Sequence, residues 1–155
     1  MSTWFTRFAP LSRDCGGTAA LEFAAAAITI MILLLAIFDI GMLYLTQRGL
    51  DFGVNKAARW ASVNSASVTA STVLTQFKNA LSPVLGSASQ NCLGYNSGDV
   101  IPPGTTCYVT LALSNGAQVG SLVTISASYA WVPLSTITGF RAATLQSSAA
   151  LTIQN

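Results

Sequence analysis

The stretch from Phe23 to Phe38, FAAAAITIMILLLAIF, contains no charged residue, no glycine and no proline. Extended to Leu45, the run takes in only one charge, Asp39. A helix over 18–45 would be about 42 Å long, enough to cross a hydrocarbon core of about 30 Å. Glu22 and Asp39 would stand about 25 Å apart along its axis, each near an interface and neither at the midplane. Asp39 is therefore expected to be an interfacial carboxylate, with a buried assembly contact as the alternative. The run is too long for a secretory h-region, and no A-x-A cleavage site follows it. A lipoprotein signal would place its cysteine after the run, whereas Cys15 precedes it.

The rest of the composition narrows the function classes. Charged residues make up 8% of the chain, about a third of the usual share. A net charge of +2 with no basic cluster gives no footprint for nucleic acid. Histidine is absent, which removes the commonest general base and the commonest metal ligand together. A Ser/Lys dyad on Lys56 or Lys78 is the only catalytic arrangement to consider, and no nucleophile motif accompanies it. The expectation is a protein that is not an enzyme and has no cofactor.

Charge bias around the run is shallow, with Arg7 and Arg13 before it and Arg48 after it. The segment beyond the run is poor in charge and rich in Ser and Thr, which orients the N-terminus to the cytoplasm and the remainder outward. Cys15 would then be reduced. Cys92 and Cys107 would share an oxidising compartment and pair. Two buried free thiols or a metal site are the alternatives, the second disfavoured by two thiols without histidine. A bridge closing LGYNSGDVIPPGTT is worth roughly 3 kcal/mol in the chain-entropy model.

Helical spacing continues past the span through Leu50, Val54, Ala57, Ala58 and Ala61, predicting one helix over 18–61. Gly49 and Gly53, four apart, either permit close helix packing or weaken the helix. A polar link leads to a second helix with Val73, Leu74, Phe77 and Leu81 on one face, ended by Pro83. Residues 91–106 read as a disulfide-pinned loop. Val109, Leu111 and Leu113 alternate as a strand, and an Asn-Gly turn region follows. Leu122–Val132 makes a second strand, with Val123, Ile125, Ala127, Tyr129 and Trp131 on one face, closed by Pro133. Ala142–Ile153 makes a third, with Leu145, Ala149, Leu151 and Ile153 on one face. The expected fold class is α+β: a long N-terminal transmembrane helix, a second short helix and an antiparallel sheet of at least three strands. The expected divisions are 1–17, 18–61 and 62–155.

The order of features at the N-terminus is distinctive: a short basic leader, Gly16-Gly17, then TAALEF, then the span. This resembles the processing site of a prepilin, and GTAALEF fits the Flp-branch pattern G/x-x-x-x-E-[Y/F]. CGGTAALEFAAAAITIMILLLAIFDIGMLYLTQRGLDFGVNKAARWA is similar to the N-terminal region of TadE-like pseudopilins of the tight-adherence pilus system. The tail VTISASYAWVPL also looks like a strand of that family with its aromatic-x-Pro ending. Two departures from related branches bear on the assignment. Flp major pilins are much shorter, which points to a minor component, and Thr18 stands where the other main pilin branch has Phe.

The resemblance implies a cut between Gly17 and Thr18 by a prepilin peptidase. It implies assembly roles for Glu22 and Phe23, and as partners other pilins, an inner-membrane assembly platform and the membrane. The implied place is a single pass through the inner membrane, with the C-terminus periplasmic before assembly. An unprocessed envelope protein accessory to the same apparatus is the alternative, with Glu22 serving only the helix dipole.

Overall fold

The computed structural model describes residues 15–134 and 139–154. Residues 1–14 of the expected leader 1–17, with Arg7 and Arg13, lie outside the described residues. Helix α1 runs over Cys15–Val63 and α2 over Ala70–Leu85. Four strands follow: β1 Leu93–Asn96, β2 Cys107–Leu113, β3 Leu122–Trp131 and β4 Ala143–Thr152.

Helix α1 has 49 residues and is about 73 Å long. Its two halves meet different surroundings. Between residue 18 and Phe38 nearly every side chain is exposed, although almost all are apolar. The hydroxyl of Thr29 bonds back to the carbonyl of Ala25, which satisfies that donor within the helix. From Thr46 onward one stripe is buried, comprising Leu50, Val54, Ala57, Ala58 and Ala61. The opposite face keeps Arg48, Asn55, Lys56 and Arg59 outside.

Helix α2 starts at a reciprocal capping box, in which Thr69 and Thr72 satisfy each other's backbone donors. The expected end at Pro83 is corrected: the helix runs on to Leu85 and closes at Gly86, whose φ is 54°. Proline here removes a single late hydrogen bond, and the Gly86 N–H donates to Ser82, so the last turn still closes. Val84, one residue beyond the proline, packs on α1 at Gly49.

The sheet order is β1-β2-β3-β4. The antiparallel β2–β3–β4 ladder matches the three expected strands, joined between β2 and β3 by an eight-residue loop, Ser114–Ser121. β1 is a fourth strand within the expected loop, and it pairs parallel to β2 with Leu93 opposite Tyr108, so the sheet is mixed. Cys92 and Cys107, one step before that register, are disulfide-bonded and buried, with Cα atoms 4.5 Å apart. A parallel pair ordinarily needs a longer, often helical, crossover. Here the bond fixes the register while the chain returns through a loop with positive φ at Gly98 and Gly104.

Both helices cover one face of the sheet. The core joins the α1 stripe to Val73, Phe77 and Leu81 of α2 and to Val109, Leu111, Val123 and Ile125 of the strands. α1 runs alongside β4: Gln47 donates to the carbonyl of Gln146 at one end, and Gln154 donates to that of Ser62 at the other. The other sheet face carries Tyr108, Thr110, Ser126 and Ser148 in an open groove of about 450 Å³.

Gly49 and Gly53 are packing glycines. A Cβ at Gly53 would lie 3.0 Å from the Phe77 ring, and one at Gly49 would lie 2.9 Å from Val84. Phe77 is fully enclosed, whereas Val84 is partly exposed and can move. Gly53→Ala should therefore cost about 1 kcal/mol net, an overpacking penalty of about 2 against a helix gain of about 1, while Gly49→Ala stays near neutral. Denaturant unfolding of the full chain in detergent measures both.

Removing the disulfide in a Cys92→Ser/Cys107→Ser variant should lower stability by about 3 kcal/mol in the same assay. The variant should also lose the β1–β2 pairing first, seen as early hydrogen exchange at 93–96.

Candidate processing and assembly segment

Gly17, Thr18, Glu22 and Phe23 lie together in the first turns of α1, all exposed. Nothing lies within 4 Å of where a Gly17 Cβ would stand, so packing does not require glycine there. Two consecutive glycines each cost a helix about 1 kcal/mol relative to alanine, so this first turn unwinds easily. Glu22 follows Thr18 by four residues and shares its helix face, about 6 Å further along the axis. Among the described residues Glu22 has no ion-pair or hydrogen-bond partner. Cys107 opens β2 and Cys92 directly precedes β1, far along the chain from this segment, and their bond serves the β1–β2 pair.

The surface of α1 next to this segment has one property a soluble core helix lacks. Its apolar window has a mean hydropathy of 2.6, yet only 6% of that window is buried. Among the described residues it is the one helix long and apolar enough to cross a membrane.

Asp39, expected at an interface, is enclosed by the fold. It is buried, with 1% exposure, and one carboxylate oxygen accepts the backbone N–H of Leu134 at 2.9 Å. The residues that reach it, Val132–Leu134, leave the end of β3 directly after Trp131. Val132 and Leu134, together with Met42, Thr46 and Tyr129, line a largely apolar recess of about 300 Å³. The aromatic-x-Pro ending marked this stretch in the sequence. Its partner lies 95 residues away, and no local pattern links the two.

These features combine an exposed apolar helix with a disulfide-stapled α+β head. Residues 17–59 match the family model described as TadE-like protein. That segment is similar to the TadE-like family, which is consistent with a protein of the tight-adherence pilus system. The match takes in the apolar half of α1 and most of its amphipathic half, and stops before α2. No curated protein and no solved structure matches the chain.

Asp39→Ala should destabilise the full chain by about 1.5–3 kcal/mol, the range for a hydrogen bond to a charged group. Asp39→Asn, which keeps a carbonyl acceptor, should recover most of that loss. Thermal unfolding in detergent, with limited proteolysis after Trp131, reads both effects.

Proposed function

We propose that this chain is a minor pilin or pseudopilin of a tight-adherence pilus, a structural and assembly subunit rather than an enzyme. The observation that carries the reading is the placement of Gly17–Phe23 at the exposed, weakly helical start of a lipid-compatible helix. A prepilin peptidase acting on the cytoplasmic side needs an accessible backbone after glycine, and the Gly16-Gly17 turn unwinds at little cost.

Cutting after Gly17 creates an α-amine on Thr18. Its reference pKa is about 8, so it is largely cationic at neutral pH. The amine lies one turn before Glu22 on the same face and gives that carboxylate an opposite charge, in its own subunit or in a neighbour. Phe23 beside it adds apolar surface for a facing helix. In the membrane the span contacts lipid; in a filament the same surface contacts other spans. The exchange is nearly neutral in hydrophobic energy because both surroundings are apolar, so small packing and charge terms direct it. The assembly platform in the inner membrane, driven by a cytoplasmic ATPase, would supply the work of extraction. The head, with its disulfide, would fold on the periplasmic side.

Intact mass and N-terminal sequencing of protein from native membranes test the cut. A start at Thr18 that disappears when the peptidase is inactivated is the expected result. A start before Gly17 under both conditions would leave the alternative, an unprocessed single-pass envelope protein. Glu22→Gln should still be inserted and cut but should be depleted from the sheared pilus fraction.

A further inference from the structure

We propose that Val132–Leu134, flanked by Phe140, forms a lipid-facing wedge that sits among phospholipid acyl chains and screens Asp39 from them. The proposal rests on reading α1 as a membrane span. Glu22 and Asp39 are separated by about 25 Å along the helix, and a hydrocarbon core is about 30 Å thick. With Glu22 at one edge, Asp39 lies about 5 Å inside the other, at a depth where a bare carboxylate is unfavourable.

The structure resolves that conflict with its own backbone. Leu134 turns its N–H toward Asp39 and leaves its side chain 77% exposed; Val132 is 70% exposed. The hydrogen bond fixes the depth of Leu134 to that of Asp39. On the helix at this level Phe38 and Ile40 are also exposed, so helix and wedge form one apolar surface.

The strand register places Phe140 at the same end of the sheet. Trp131 pairs with Ala143, so the chain leaves β3 and re-enters β4 side by side, and Phe140 remains partly exposed there. Gln47 bonded to Gln146 and Ser62 bonded to Gln154 show that this end of β4 is the one nearest the span. Tyr44 follows Asp39 by five residues, about 7 Å further out, and Arg48 stacks on it with its guanidinium 5.0 Å from the ring centre. A tyrosine with a cation beside it is the usual signature of the headgroup layer. The apolar wedge therefore falls inside that layer and the polar pair falls within it.

The test uses the full chain in a Cys15→Ser background with the disulfide intact. Single cysteines at Leu134, Val132, Leu33 and Val119 are labelled with an environment-sensitive fluorophore. The labelled proteins are placed in phosphatidylcholine–phosphatidylglycerol vesicles. Leu33 reports the span, and Val119, exposed in the loop at the far end of the sheet, reports water. Expected is a blue-shifted emission at 134, 132 and 33 that doxyl groups on the acyl chains quench, with iodide quenching at 119. Lipid quenching at 33 but iodide quenching at 134 and 132 would overturn the wedge and leave the span intact. Shielding of 134 and 132 from both quenchers would also overturn it, assigning the surface to a second copy of the chain. Iodide quenching at all four sites would remove the span itself, and the wedge with it.

Discussion

A single unbroken helix here has to satisfy two different surroundings, and most other features follow from where it changes from one to the other. Over its first half α1 is almost wholly exposed among the described residues, so apolar side chains can cover every face and the backbone satisfies itself through i→i−4 bonds. Over its second half the stripe of Leu50, Val54, Ala57, Ala58 and Ala61 must meet a core, and polar residues take the opposite face. The change falls between Asp39 and Thr46. The sheet's lower end and the last turn of α2 converge on the same few turns of helix. The head is thus built around the emerging helix, with α1 as part of its core.

Such an arrangement leaves the head a modest core, and two devices stabilise it. Glycines at 49 and 53 let α2 approach α1 closely enough for Phe77 to be enclosed. The Cys92–Cys107 bond holds a four-residue strand in a parallel register that its own sequence favours weakly. Gly94 in that strand lies under the start of α2: a Cβ there would meet the carbonyl of Ala70 at 2.9 Å. The same small residue that lowers strand propensity is what lets the helix cross the strand.

What the sequence made legible follows the same physics. The long span, the helical stripe beyond it, three alternating strands and the cysteine pair all rest on periodicity or composition over many residues, and such signals survive tertiary context. Strand β1 did not show, because LGYN carries a glycine and an asparagine and owes its pairing to a bond between distant cysteines. Pro83 marked a helix end two residues early because the packing of Val84 on Gly49 outweighs one missing hydrogen bond. Asp39 was legible as a carboxylate near an interface; its burial depends on a backbone donor 95 residues away. The Gly17–Phe23 segment is the opposite case. Its meaning lies in the order of residues, and the fold adds only that they are exposed and on a helix.

Glu22 and Asp39 show how one helix can treat the same chemical group in opposite ways. Asp39 receives its partner from within the chain, through the backbone of Leu134, and is closed off from its surroundings. Glu22 is left exposed, with no partner among the described residues. A group satisfied at folding has little left to contribute to assembly, whereas one left open can discriminate between lipid and a neighbour that brings a positive charge. In the proposed filament the charge on Thr18 appears only after the cut, so the open carboxylate gains its strongest partner only once the leader is gone. Removal of the leader would then license packing of the spans as well as shorten the chain. The dependence of assembly on Glu22 should accordingly be strong in cut subunits and weak in uncut ones.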